Sequence, residues 1–267
     1  MPFTSAFCPQ NNGLMFTFGR IVFKPCVLIP VYNHEHAVGN VIKHVLAHNV
    51  PCVLVDDGSN MACASVLEKL AAQHSSQIML ARHARNEGKG AAVMTGMQQA
   101  FSAGFSHALQ IDADGQHDTD DIPRFMEMAR AHPEAVVAGY PIYDGSVPQL
   151  RLYGRYLTHA WAWINTLSFT IRDSMCGFRL YPLNSAVALI KRHPLEKRMA
   201  FDTDIIVRLY WEETPIINLP TKVHYPQDGV SHFQMLRDNV QISGMHARLF
   251  FGMLRRIPKL LRRKRKR

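Results

Sequence analysis

The sequence predicts an α/β protein: a doubly wound, mostly parallel sheet with helices on both faces, followed by a C-terminal amphipathic helix. Two observations carry this. Short continuous apolar runs, of the length of buried parallel strands, alternate with segments whose apolar residues recur every three or four positions. The runs end abruptly in polar clusters at residues 32–35, 56–59, 85–89 and 112–116. In open α/β sheets ligands sit outside the carboxyl ends of the strands, so clusters gathered at that edge mark a site.

In chain order, Pro25–Val31 is the first apolar run, and Val38, Val41, Ile42, Val45 and Leu46 recur at helical spacing after it. A second strand over 52–55 ends in Asp56-Asp57-Gly58-Ser59, and a helix follows over 62–73. A third strand over 77–81 leads into Arg85-Asn86-Glu87-Gly88-Lys89-Gly90 and a small-residue helix over 91–103. The central strand, 108–111, runs into Asp112-Ala113-Asp114-Gly115-Gln116-His117. A helix over 121–131 opens on Asp120 and Asp121, acids that favour the positive helix end. Residues 135–139 form a fifth strand and 147–169 a long mixed stretch. A loop then a strand (171–181), two helices (184–193 and 201–213), a strand (215–219) and a loop (223–233) complete the pattern.

The 267 residues divide into an N-terminal tail (1–24), one large domain (25–235) and the C-terminal helix with its tail (236–267). No apolar run approaches the roughly 18–20 residues of a membrane span. Residues 1–19 carry no basic group ahead of their apolar part, unlike a secretory signal, and Met15 is an alternative start. Cys8, Cys26, Cys52, Cys63 and Cys176 are odd in number, scattered and without a C-x-x-C pair, the usage of reduced thiols in a cytosolic protein. The net charge of +9 resides in residues 255–267, which hold nine Lys and Arg and no acid; the rest is neutral. Such a tail binds phosphate-rich surfaces. Nothing else resembles a nucleic-acid module, which ranks nucleic acid below an anionic membrane as its partner.

The chemistry centres on Asp112 and Asp114. Side chains at i and i+2 of an extended backbone point the same way, and two carboxylates so placed repel unless a positive charge lies between them. Mg²⁺ or Mn²⁺ meets that need: it takes oxygen ligands and shares its site with substrate phosphates. Gln116 would add a third oxygen or hold a metal-bound water. The pairs His34/His36 and His44/His48 lack the glutamate of a metalloprotease helix and are read as surface histidines.

Four segments, Leu28-Ile29-Pro30-Val31-Tyr32-Asn33, Val55-Asp56-Asp57-Gly58-Ser59, Asn86-Glu87-Gly88-Lys89-Gly90 and Asp112 to His117, resemble family 2 glycosyltransferases in order and spacing. The likeness is to the polyprenyl-phosphate type, such as dolichyl-phosphate mannose synthase, and covers about residues 25–230. It implies a GT-A fold and inverting transfer of a sugar, a hexose by preference, from a nucleotide-sugar to a lipid-linked or anionic acceptor. By the same resemblance Pro30, Tyr32, Glu35, Asp57, Lys89, Asp112 and Ala113 would bind the donor, and Asp112, Asp114 and Gln116 the metal. Asp173, in Asp173-Ser174-Met175-Cys176-Gly177-Phe178-Arg179, would lie near the reaction centre. Arg151 and Arg155, at i and i+4, share a helix face, which either receives an anionic acceptor or is a solvated face. A lipid phosphate is already anionic; a hydroxyl acceptor needs a base, for which Asp202 and Asp204 stand ready, with Asp204 preferred. The chain departs from the family at Gly139-Tyr140-Pro141, which lacks an arginine, at Cys176 in place of serine and at His232 in place of lysine. A sugar nucleotidyltransferase would need a Gly-rich, Arg-containing loop where Pro30 to Asn33 stand; a non-catalytic nucleotide-sugar-binding protein is the other alternative.

At the C-terminus, Ile242, Met245, Leu249, Met253, Ile257 and Leu260 form an apolar stripe that Phe250, Leu254 and Leu261 widen, with Pro258 as a break. The first half is expected to pack on the domain. The second, with the basic tail, is expected to insert at the headgroup level of an anionic membrane, making the protein cytoplasmic and peripheral on the inner membrane.

Overall fold

The computed structural model describes residues 22–143, 149–223 and 235–265. Most of the predicted N-terminal tail and the loop with Gly229 and His232 lie outside them.

Seven strands form one sheet: β1 (Pro25–Val31), β2 (Cys52–Asp56), β3 (Ile78–Arg82), β4 (His107–Gln110), β5 (Val136–Tyr143), β6 (Arg179–Pro182) and β7 (Ile216–Val223). Their order is β3-β2-β1-β4-β6-β5-β7. β1 pairs in parallel with β2 and β4, β2 with β3, and β5 with β7. β6 runs antiparallel between β4 and β5, so the sheet is mostly parallel, as expected, with one reversed strand.

Nine helices are described: α1 (Val38–Ala47), α2 (Met61–Gln73), α3 (Lys89–Ser102), α4 (Ile122–Ala131), α5 (Gln149–Thr166), α6 (Leu183–Arg192), α7 (Phe201–Trp211), α8 (Met235–Leu254) and α9 (Ile257–Arg265). Alternate residues of each inner strand face opposite sides, which gives two cores. Val27, Ile29 and Leu54 pack with α1, α2 and α4. Leu28, Val53 and Val55 pack with α3, α6 and α7, and α5, α8 and α9 extend that second core. α3 lies so close to β1 that a Cβ on Gly96 would overlap the Leu28 side chain.

Two elements differ from expectation. The fifth strand runs on to Tyr143 because β7 continues beside it, residue for residue, to Val223. Pro141 is tolerated because β6 pairs with β5 only at Val137 and Ala138, leaving that side of β5 an edge. The mixed stretch after it is largely the helix α5.

The C-terminal stripe is corrected more substantially. Met245, Leu249, Met253 and Leu260 are buried in the domain core, with Ile242 and Ile257 packed against it. The central line of the stripe is therefore turned inward in both halves, while Leu254 and Leu261 at its widened edge stay exposed. Arg256 over the Trp211 ring and Arg263 over the Tyr210 ring clamp the second half to α7. Pro258 sits in the first turn of α9, where its missing N–H is no loss. Among the described residues no helix is long and apolar enough to cross a membrane. Cys26, Cys52, Cys63 and Cys176 are free and buried, and burial pushes the Cys26 and Cys176 thiols up to about 12.

Candidate active site

The parallel register sets the ends of β1, β2 and β4 side by side, and short polar bonds lock the loops that follow. Asn33 takes a left-handed backbone (φ 53°), donates its N–H to Ser59 Oγ (3.0 Å) and accepts from Asn60 N (2.8 Å). Asp57 is buried, and both its oxygens are engaged: Oδ1 by Glu87 N (2.9 Å) and His83 Nδ1 (2.7 Å), Oδ2 by Gly88 N (2.8 Å). Sequence reasoning gave Asp57 to the nucleoside; the structure has it fasten the turn before α3. That turn needs Gly88, whose φ is +108° and whose Cβ would strike the Lys197 carbonyl. α3 then begins at Lys89 and aims it across the sheet edge.

Lys89 Nζ lies 2.8 Å and 2.9 Å from the two oxygens of Asp112, at the end of β4, and 2.9 Å from Asp202 Oδ2, in the first turn of α7. Gln110, the last residue of β4, donates to the other oxygen of Asp202 at 3.0 Å. His117 Nε2 lies 3.8 Å from Asp112. Burial opposes ionisation of Asp112, but the Lys89 ammonium and His117 outweigh it and hold its carboxyl well below the usual carboxylate range. Burial also works against the Lys89 charge, and Asp112 and Asp202 more than restore it. Asp114 is on the losing side of this arrangement. Burial and the Asp112 charge push its carboxyl up, against weaker help from His117 and the Gln116 N–H, which donates to Asp114 Oδ1 at 3.0 Å.

The donor set fits a divalent cation. Lys89 already holds positive charge against Asp112, Asp114 is short of positive charge, and Asp112 Oδ1 is buried without a well-formed hydrogen bond despite its closeness to Nζ. Among the described residues no group of three or more His, Cys, Asp or Glu is gathered to hold an ion by protein alone. Mg²⁺ or Mn²⁺ binds through one or two carboxylates and completes its shell with water and substrate phosphates, so the Asp112/Asp114 pair is compatible with either. Space for the Asp112 carboxylate depends on Gly177, where a Cβ would lie 2.6 Å from Oδ2 and 2.8 Å from Oδ1. Gly177→Ala is expected to turn that carboxylate away. Its apparent affinity for Mn²⁺ should fall by roughly tenfold or more with little change in melting temperature, as read by metal titration of activity.

The other expected residues fall into two groups. Pro30 is buried at the end of β1, with Tyr32 and Glu35 half-buried just beyond it, and Ala113 is buried between the two acids. Glu35 Oε2 is one of the buried oxygens with no partner. Asp173 anchors a turn: Oδ1 accepts from Met175 N (2.8 Å) and Cys176 N (2.7 Å), and Oδ2 meets Arg155 Nε (2.7 Å) and His159 Nε2 (3.2 Å). It positions Arg155 rather than offering a free carboxylate. Arg151 lies one helical turn before Arg155 on α5, but its side chain is outside the described residues. Asp204 is corrected: its oxygens face Arg208 (2.5 Å) and Glu196 N (3.0 Å), and it is Asp202 that stands with Asp112 and Lys89.

Burial disfavours the charged form of Asp173, but His159 and Arg155 overcome this and hold its carboxyl below the ordinary value. A depressed carboxyl contributes stability that is full above the unfolded value, about 3.9, and is lost as pH falls through the folded value. Asp173→Asn is therefore expected to cost roughly 2–3 kcal/mol at pH 7 in chemical denaturation, and to flatten the loss of stability below about pH 4.

Sequence reasoning missed Gln110, His117, Gly177, His159 and the buried Arg179, whose guanidinium donates to the Asp202 carbonyl (2.5 Å) and the Asp173 carbonyl (3.2 Å). His117, Gly177 and Arg179 sat inside motif segments already singled out; Gln110 and His159 did not.

Comparison with known proteins agrees with the fold. The profile described as Glycosyl transferase family 2 matches residues 26–199. The chain is 24% identical over 219 residues to the UDP-N-acetylglucosamine–dolichyl-phosphate N-acetylglucosaminyltransferase of Methanococcus voltae, covering 75% of this chain and 86% of that protein. It is 26% identical over 218 residues to the polyprenol monophosphomannose synthase of Mycolicibacterium smegmatis, covering 77% and 79%. Among solved structures, glucosyl-3-phosphoglycerate synthase from Mycobacterium tuberculosis, in complex with Mn²⁺ and uridine-diphosphate-glucose, superposes with a TM-score of 0.63 at 13% identity, over 86% of this chain and 79% of that one. At that identity the likeness concerns the fold alone, which is GT-A.

Proposed function

Since the chain belongs to glycosyl transferase family 2 and is a glycosyltransferase, we propose that it moves a sugar, with inversion, from a nucleotide-sugar to a membrane-associated lipid phosphate. The observation that carries this is the Asp112–Lys89–Asp202 cluster at the carboxyl edge of the sheet, with Asp114 beside it.

Each residue has a task its chemistry suits. Pro30, Tyr32 and Glu35, on the loop after β1, line the way in for the nucleoside. Asp112 and Asp114, with Gln116 behind them, would hold Mg²⁺ or Mn²⁺. When bound with the diphosphate, that cation would neutralise charge developing on the leaving group. Lys89 supplies a second positive charge at the same edge, from a flexible stem that Asp202 keeps aligned. Asp202 in turn is fixed by Gln110. On the acceptor side, Arg155, braced by Asp173, and Arg151 on the same helix receive the anionic group. A lipid phosphate is ionised at neutral pH and attacks without a base, which fits a site whose candidate base Asp204 is occupied by Arg208.

The M. voltae and M. smegmatis relatives, both named for polyprenyl-type substrates, support the acceptor class. The basic C-terminal region supports a cytoplasmic enzyme held peripherally at the inner membrane.

The test is a transfer assay with Mn²⁺ and a panel of UDP- and GDP-sugars, offering a polyprenyl phosphate or the matching polyprenol. Sugar should appear on the phosphate and not on the alcohol. Transfer to the alcohol alone would replace the acceptor reading and call for a carboxylate base.

A further inference from the structure

The inward turn of the C-terminal stripe leaves its widened edge outside. Along α8 and into α9, Val240, Phe251, Leu254 and Leu261 are all exposed, Phe251 at 64%. Val240, Phe251 and Leu254 share one face of α8, and Leu261 lies past the turn that opens α9. On α5, Leu157 (64% exposed), Trp161 and Ile164 form a second exposed line at i, i+4 and i+7. The two lines are joined by rings. Trp161 stacks on His246 at 5.9 Å and meets Phe250 edge-on at 6.3 Å, and Phe250 meets Phe251 at 5.9 Å. The result is one apolar ridge over two packed helices.

The exposed charge on the helices of the ridge has one sign. α5 and α9 contain no acidic residue, and α8 contains only Asp238, which is buried. Arg255, Lys259, Arg262 and Lys264 are exposed beside the α8–α9 end. Soluble surfaces seldom leave a large contiguous apolar patch without an occupant. An apolar ridge carrying a tryptophan and flanked mainly by cations, with Glu196 paired to Arg248 as the acid beside α8, matches the interface of an anionic bilayer, with aromatic and aliphatic groups at the acyl boundary and Lys and Arg at the headgroups.

We propose that the α5/α8 ridge is the surface on which this protein docks to an anionic lipid bilayer. α5 then does two things. Leu157 and Trp161 enter the headgroup boundary, while Arg155, two residues from Leu157, is held by Asp173. A phosphate at the headgroup level would come within reach of the helix that carries the acceptor arginines. This last link rests on the lipid-phosphate reading; the docking itself does not.

The experiment is co-sedimentation of the full chain with vesicles of phosphatidylcholine alone or mixed with phosphatidylglycerol, with no sugar donor present. The mixed vesicles should pellet the protein, and Leu157→Glu with Phe251→Glu should weaken this by about tenfold or more. Both positions are more than half exposed, so melting temperature and Mn²⁺-dependent nucleotide binding should be unchanged. In the unsubstituted protein, brominated lipid should quench tryptophan emission through Trp161, since Trp211 is buried and Trp163 half-buried. Equal pelleting of the substituted and unsubstituted chains would overturn the proposal. So would a lack of vesicle binding by a chain that dimerises through the ridge, which would give this face to a second copy. A docking failure beside intact transfer would leave the donor and acceptor reading standing, and the reverse result would leave docking standing.

Discussion

Asp114→Asn is expected to lower turnover by roughly 10³-fold while the chain stays folded. The reason is the asymmetry of the acidic pair. Asp112 is compensated by Lys89 and His117 and stays ionised. Asp114 is pushed up by burial and by Asp112, so its charge becomes favourable only when a cation comes. Asparagine keeps the shape and one oxygen, removes that charge, and relieves repulsion in the metal-free protein. The pH dependence has a definite sign. A carboxyl raised in the folded state binds more protons there than in the unfolded chain, so its cost to stability grows as pH rises from about 3.9 through the folded value. Metal-free Asp114→Asn should therefore lose less stability than the parent as pH rises through that window. Denaturation at several pH values, beside kcat with saturating Mn²⁺, measures both halves. Near-parental turnover in a folded variant would remove Asp114 from the mechanism.

Lys89→Met is expected to have the second largest effect, and to split by condition. Without metal it takes from Asp112 and Asp202 the ammonium they share, at a cost of roughly 2–3 kcal/mol, since both are largely buried. Mn²⁺ should restore more stability to the variant than to the parent, because in the parent Lys89 already supplies part of the charge. Turnover should fall by about 10²-fold even at saturating Mn²⁺, because one of two positive groups at the leaving diphosphate is gone. Thermal melts with and without Mn²⁺, set against kcat, separate these effects. An identical Mn²⁺ response in variant and parent would mean that Lys89 and the metal do not share Asp112.

The sheet was legible because buried parallel strands are written as unbroken apolar runs, and the polar clusters at their ends gave the site edge. Asp112, Asp114 and Lys89 could be named from those clusters, since each sits where a strand or turn stops. Asp202 and Asp204 show where sequence runs out. Two positions on one helix turn lie far apart around its axis, and only the packing of α7 decides which reaches Lys89. Gln110 looks like an ordinary strand residue until β6 and α7 close over it. Gly177 is legible as a glycine, but its reason, the Asp112 carboxylate against its backbone, lies more than sixty residues away. The C-terminal helices teach the same lesson. Their spacing announces apolar stripes, and the domain takes the stripe that fits its core, leaving Phe251, Leu254 and Leu261 outside.

The central claim is that Asp112 and Asp114 bind a nucleoside diphosphate through a divalent cation. Calorimetry of the purified protein with UDP and with GDP, each with and without Mn²⁺, tests it most directly. One nucleotide should bind tightly with Mn²⁺, weakly without it, and weakly to Asp114→Asn under either condition. Equal binding with and without Mn²⁺, or no binding of either nucleotide to a folded protein, would contradict the account.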